Sequence, residues 1–253
     1  MKIGIVPCAG CTEDSDCAVC SCASCGQRGN TCPGPERCSK VAKAAKPLKV
    51  LIGCEKSQEI CIAFRELGHE AFSCDLEPCT GGHPEWHIIE DVRNYFHGNN
   101  WQVFIVHPPC RDIAASGARY FAEKRKDGSQ AQAVKFFMEM VNAPIPRVCV
   151  ENSVGVMSRL YRKPDQYIQP YQFGHDASKN TCLWLRGLPK LEIDPSDYIK
   201  PRIVNGRPRW ANQTDSGQNK LSPSEHRADD RAKTYSGIAR AMALQWGGNS
   251  NVS

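Results

Sequence analysis

A run of four apolar residues, Val103-Phe104-Ile105-Val106, stops at His107-Pro108-Pro109-Cys110. An uninterrupted apolar run with β-branched residues reads as a strand buried on both faces, as parallel sheets require. Two prolines then fix the backbone, which leaves the Cys110 sulfur little freedom. In open α/β sheets, ligand sites lie outside the carboxyl ends of strands. A second run, Arg147-Val148-Cys149-Val150, ends in Glu151-Asn152. The chain thus carries a thiol and a carboxyl at two strand ends of one sheet, a pairing suited to nucleophilic catalysis with proton assistance.

Strands and helices alternate through most of the chain. Lys49 to Cys54 reads as the first strand. Ser57 can cap the helix that follows, whose Ile60, Ala63, Phe64 and Leu67 share a face, and Gly68 stands where a helix ends. Glu70 to Cys74, ending at Asp75, and Trp86 to Ile89, ending at Glu90-Asp91, read as the second and third strands. Trp101 to Val106 and Arg147 to Val150 are the fourth and fifth, with Val134, Phe137, Met138 and Val141 marking a helix face between them. Thr181 to Leu185 is a further strand and Thr234 to Trp246 a closing helix. From Pro189 to Ser224 the pattern gives way to Pro, Asn, Gly and charged residues, which predicts loops. The order implies an α/β domain with a mostly parallel, Rossmann-like sheet over residues 49–253. The stretch SKVAKAAKPL, residues 39–48, reads as a linker or helical spacer, and residues 1–38 as a separate cysteine-rich module.

A chain of 253 residues has room for that domain and one small module. No stretch approaches the roughly 18 consecutive apolar residues of a membrane span. Met1 to Pro7 gives only a short apolar stretch before polar sequence, so no secretory signal is expected and the expected location is cytoplasmic. The net charge is +5, and residues 157–233 hold 14 Lys and Arg against 9 Asp and Glu. That modest excess favours a polyanion partner.

Eight of the 15 cysteines fall before Ser39: Cys8, Cys11, Cys17, Cys20, Cys22, Cys25, Cys32 and Cys38. The first six form three Cys-x-x-Cys pairs, a spacing that lets two thiolates bind one metal ion across a tight turn. Eight thiolates satisfy two tetrahedral zinc ions without histidine, and no histidine precedes His69. Apart from Ile3, Ile5, Val6 and Val19 the segment has almost no large apolar residues, so it cannot bury a core of its own. Two zinc ions are the expected staple, with an iron–sulfur cluster or disulfides as the alternatives. Cys74, Cys79, His83 and His87 look like ligands too, but the gap from Cys79 to His83 is too short for a zinc finger with a helix. A loop near a cofactor pocket is the better reading there.

Pro108-Pro109-Cys110, then Glu151-Asn152-Ser153-Val154-Gly155, with acidic residues ending earlier strands, resembles the DNA cytosine-5 methyltransferase family and most closely its small phage-type members. The resemblance covers about Lys49 to Trp246. It implies S-adenosylmethionine-dependent methylation of cytosine carbon 5 in DNA, within a bacterial or phage-infected cell. Cys110 would attack carbon 6 of the ring, Glu151 would contact ring nitrogen 3, and Asn152 would brace the backbone. The cofactor would be held by the Gly53 to Glu55 turn, Asp75 at the ribose, Asp91 near the adenine, and Pro108. The residue types suit these tasks. A soft thiolate adds readily across a pyrimidine double bond, a protonated Glu151 is a donor for the charge that develops, and a carboxylate accepts two hydrogen bonds from a diol.

The chain departs from the family pattern at several points. His107 replaces a glycine, Arg111 replaces a glutamine, and no Gln-x-Arg-x-Arg stretch follows Glu151-Asn152; Lys179-Asn180-Thr181-Cys182-Leu183-Trp184 stands there instead. Tyr235-Ser236-Gly237-Ile238-Ala239 only loosely resembles the closing motif. Pro189 to Pro223 is too short for an independent recognition domain. Sequence reading would then come from the N-terminal module, a protein partner, self-association, or not at all, although Ile203 to Trp210 can supply a few base contacts. Two alternatives follow: thiol chemistry on a pyrimidine nucleotide or unusual base, and a non-catalytic nucleic-acid-binding protein on the same scaffold.

Overall fold

The computed structural model describes residues 46–221 and 232–248. The eight cysteines of the expected zinc module lie outside them. Seven strands form one sheet: β1 (Lys49–Gly53), β2 (Glu70–Asp75), β3 (His87–Ile89), β4 (Val103–Val106), β5 (Arg147–Ser153), β6 (Gln166–Ile168) and β7 (Thr181–Arg186). Their order is β3-β2-β1-β4-β5-β7-β6. β1 to β5 run parallel, and β7 runs antiparallel to both β5 and β6. The first five strands have the order of a doubly wound sheet, and the direction of winding reverses between β1 and β4. A crevice at the carboxyl ends of β1 and β4 follows from that reversal.

Strand parity builds two cores. Val50, Ile52, Val103, Ile105 and Cys149 face α1 (Glu59–Glu66) and the closing helix. Leu51, Phe104, Val106, Val148 and Val150 face the opposite way, toward Phe137, Met140 and Val141 of a third-layer helix. Alternate residues on a strand point to opposite sides, so one continuous apolar run serves both layers. The remaining helices are α2 (Phe121–Lys126), α3 (Ser129–Val141), α4 (Met157–Leu160) and α5 (Ser236–Gly247). No helix among the described residues is long and apolar enough to cross a membrane.

Several local expectations change. Ser57 does not cap α1. Gln58 holds the cap position in a left-handed conformation with φ 61°, without a side-chain cap. The buried Glu55 carboxylate caps the helix instead, accepting from the backbone N–H of Ile60 at 2.8 Å and of Cys61 at 3.3 Å. Gly68 ends the helix as expected, with φ 81° and its N–H on the Arg65 carbonyl at 2.9 Å. β5 runs three residues further than its apolar run, through Glu151-Asn152-Ser153, because β7 pairs along its whole length. The region expected to be loops contains a hairpin, β8 (Arg202–Val204) and β9 (Arg207–Arg209), turning at Asn205-Gly206 with positive φ at both.

Candidate active site

Register and parity decide which side chains meet. Ile105 pairs with Cys149 across β4 and β5. Two residues further on the same face come His107 and Glu151. Neighbouring strands are about 4.8 Å apart, so polar side chains at those positions fall within bonding reach. His107 Nδ1 lies 2.7 Å from Glu151 Oε2. Both are nearly buried, with side chains 10% and 13% exposed. The Nε2 of His107 is buried without a partner among the described residues. Burial pushes the Glu151 carboxyl up, but the His107 hydrogen bond, the His107 charge and the Lys179 charge outweigh it, leaving the group below the usual carboxylate range.

The next residue faces the other way and does a different job. The buried Asn152 side chain donates from Nδ2 to the Pro108 carbonyl at 2.7 Å, and its Oδ1 accepts from the Ser153 N–H at 2.9 Å. The Pro-Pro-Cys turn and the end of β5 are thus tied together twice, through His107 and through Pro108.

After the turn, the Cys110 carbonyl accepts from Ile113 and Ala114 N–H groups at 3.1 and 2.8 Å. The segment then docks on Val154-Gly155-Val156. Ala115 donates to Val154 and Val156 donates to Ile113, at 2.8 and 2.9 Å. A Cβ at Gly155 would collide with the Ile113 carbonyl oxygen and Ala114 Cα, so the close approach requires glycine. Lys124 adds a bond to the Arg111 carbonyl and an ion pair with Asp112. Cys110 is the one exposed cysteine among the described residues. Cys54, Cys61, Cys74, Cys149 and Cys182 are all pushed up by burial, which makes them poor thiolates.

The residues expected around a cofactor take distinct places. A Cβ on Gly53 would press on Val92, Val106 and Phe104, so this glycine serves packing beneath the crevice. Glu55 is buried, and burial raises its carboxyl to about 7 against the opposing pull of His107 and the two amides it caps. Asp75 ends β2, and among the described residues its carboxylate accepts only the Glu77 N–H, on Oδ1 at 3.1 Å. Asp91 caps a 3-10 turn at Val92–Tyr95 and is gripped by Arg93, whose Nη2 sits 2.6 Å from Oδ2. Asp75 therefore has acceptor capacity to offer a diol. Asp91 and Glu55 already have their oxygens engaged. A cavity of about 440 Å³ opens at the starts of α1 and α5, lined by Glu59, His175, Asn212, Lys220, Lys233 and Tyr235 among others. Its size falls in the range of small-ligand pockets. Lys179 spans from this cavity's edge, at the Lys233 carbonyl 3.5 Å away, to the surroundings of Glu151.

Sequence reasoning passed over His107 and Lys179 as members of this cluster. The signal for His107 was present: it lies as far beyond Ile105 as Glu151 lies beyond Cys149. Cys74, Cys79, His83 and His87 do not converge. Cys74 bonds the Glu90 carbonyl, His87 joins Ser73 to the Glu77 carbonyl, and His83 stacks on Trp86. Among the described residues, no group of three His, Cys, Asp or Glu could hold a metal ion.

Fold and site together define a doubly wound α/β protein with a buried histidine–carboxylate pair at the strand ends and an exposed thiol three residues along the chain from that histidine. Two solved structures are similar to it. One is an E. coli prophage protein assigned as a DNA modification methyltransferase, at 14% identity and TM-score 0.39, matching 59% of this chain and 49% of that one. The other is the Entamoeba histolytica methyltransferase EhMeth, at 12% identity and TM-score 0.45, matching 61% of this chain and 58% of that one. The chain spans about half the length of these two proteins. No family model and no curated protein matches the chain.

Proposed function

We propose that this chain methylates carbon 5 of cytosine in DNA through a covalent Cys110 adduct. The supporting observation is the pair of hydrogen bonds, His107 to Glu151 and Asn152 to Pro108, that binds the Pro-Pro-Cys turn to the carboxylate strand. A reaction that needs a nucleophile and a proton donor acting on one ring requires such mutual fixing. The Cys110 thiolate adds to carbon 6, and the ring's π electrons move toward nitrogen 3, which takes a proton that Glu151, ionised in the free site, picks up from solvent as the ring docks against it. Carbon 5 is then nucleophilic. S-adenosylmethionine, when bound, supplies the electrophilic methyl group that such a carbon needs, and Asp75, whose carboxylate has acceptor capacity to spare, would take its ribose hydroxyls. Water takes the carbon 5 proton, the electrons of that C–H bond re-form the carbon 5–carbon 6 double bond, and Cys110 leaves as a thiolate. The base must first swing out of the duplex stack, since a thiol cannot reach carbon 6 inside it.

DNA is the proposed partner, and a separate protein or the N-terminal module supplies sequence recognition. The eight cysteines from Cys8 to Cys38 are proposed to hold two zinc ions. A second reading, the same thiol chemistry on a free nucleotide, draws support from the small β8–β9 hairpin being the only extra sheet among the described residues. The two readings separate when duplex DNA, single-stranded DNA and dCMP are each incubated with the protein and S-adenosylmethionine. Mass spectrometry of the digested nucleosides is expected to show 5-methylcytosine from DNA. Product from dCMP alone would replace the DNA reading with the nucleotide one.

A further inference from the structure

We infer that His107 is a positioning residue for Glu151, holding one carboxylate oxygen so that the other, Oε1, meets ring nitrogen 3 of the bound pyrimidine. The inference rests on the pyrimidine chemistry proposed above and adds a residue that the family resemblance leaves out, since the family carries glycine there.

Three observations carry it. Nδ1 lies 2.7 Å from Oε2, while Oε1 takes no hydrogen bond from a described residue. A glutamate side chain is free to turn about three bonds; a short bond in a nearly water-free place fixes it before substrate arrives. Second, β4 and β5 are in register, so the backbone already sets the two side chains abreast. Third, His107 Nε2 is buried and unpartnered among the described residues. Burying a ring nitrogen without a partner is destabilising, so packing alone does not account for an imidazole here. An apolar side chain would fill the space without that penalty.

The bond also matters chemically. When Oε1 gives its proton to nitrogen 3, the carboxylate left behind is stabilised by the Nδ1–H of His107 and by the Lys179 ammonium. When the thiolate leaves, the same oxygen takes the proton back. The groups bordering Glu151 are His107 just after β4, Lys179 before β7, and the Cys149 and Cys182 thiols, with Glu55 beyond His107.

The test is the rate of adduct formation on DNA containing 5-fluorocytosine, measured across pH with S-adenosylmethionine for wild type, H107L, H107N and H107Q. Asn places an amide N–H near the position of Nδ1, whereas Gln reaches toward that of Nε2. H107L is expected to lose about tenfold or more in rate. Its high-pH limb should move to higher pH, because an unsupported Glu151 holds its proton longer. H107N should restore both and H107Q should not. A melting curve accompanies each variant; if H107L does not fold, the contrast between H107N and H107Q decides. Equal rates and equal profiles in all folded variants would overturn the inference while leaving the proposed function standing. Absence of any adduct with folded wild type would overturn both.

Discussion

Asn152 lies on β5 and Pro108 in the turn that follows β4, yet the Asn152 side chain closes a buried 2.7 Å hydrogen bond to the Pro108 carbonyl. Proline cannot donate, so that carbonyl is the only hydrogen-bonding group Pro108 has. Asn152→Ala would leave it buried and unpaired. The expected cost is about 1–3 kcal/mol in stability, read by urea denaturation. Loss of thiol positioning should lower methyl transfer beyond what the stability change explains. Unchanged stability would mean that water or a shifted backbone satisfies the carbonyl.

Gly155 sets how closely the segment after Cys110 can lie on the end of β5. Gly155→Ala forces that segment away by the width of a methyl group. A displacement of this size near the reacting atoms costs about a hundredfold in rate. Calorimetry should find S-adenosylmethionine binding unchanged, because Asp75 and the β1 turn are not touched. A loss of cofactor affinity equal to the loss of rate would contradict this division.

Glu55 makes stability depend on pH with a definite sign. Its carboxyl moves from an ordinary 4.5 to about 7 in the fold, chiefly through burial. The folded state therefore binds the proton more tightly than the unfolded state between those values. The contribution is full below about 4.5 and is lost as pH rises through about 7. Relative to wild type, Glu55→Gln should gain about 3 kcal/mol between pH 4.5 and 8, since the amide cannot ionise. A difference between the two proteins that stays flat over that range would contradict the burial argument.

The N-terminal cysteines give a prediction independent of the sheet. The purified 253-residue chain should contain about two zinc ions, four thiolates for each. Metal analysis before and after chelation checks it. Iron with visible absorbance, or no metal with intact disulfides, would replace the zinc assignment.

The sheet was legible because its central strands, β1 and β4, are built on uninterrupted apolar runs. Val103 to Val106 and Arg147 to Val150 could be aligned by length, whereas β2 and β3 are mixed segments placed by the alternation of elements around them. β6 escaped because Gln166-Tyr167-Ile168 is too short to show a period, and it is a strand only because β7 pairs with it. The β8–β9 hairpin was hidden by charge, although Asn205-Gly206 is a strong turn signal. Ser57 had the right chemistry for a cap, but a buried carboxylate two residues earlier reached both amides. At the site, Cys110 and Glu151 could be read from strand ends. The partnership of His107 with Glu151 could not be read from a motif, because it arises from register between two strands 44 residues apart.

The central claim is that Cys110 forms a covalent bond to a cytosine ring. The most direct measurement uses DNA containing 5-fluorocytosine, with S-adenosylmethionine, and a denaturing gel followed by peptide mass spectrometry. Fluorine cannot leave carbon 5 as a proton does, so the intermediate persists. The account predicts a denaturation-resistant adduct mapped to Cys110 and absent in Cys110→Ser. Folded protein that binds the cofactor yet forms no adduct, or an adduct that survives in Cys110→Ser, would contradict it.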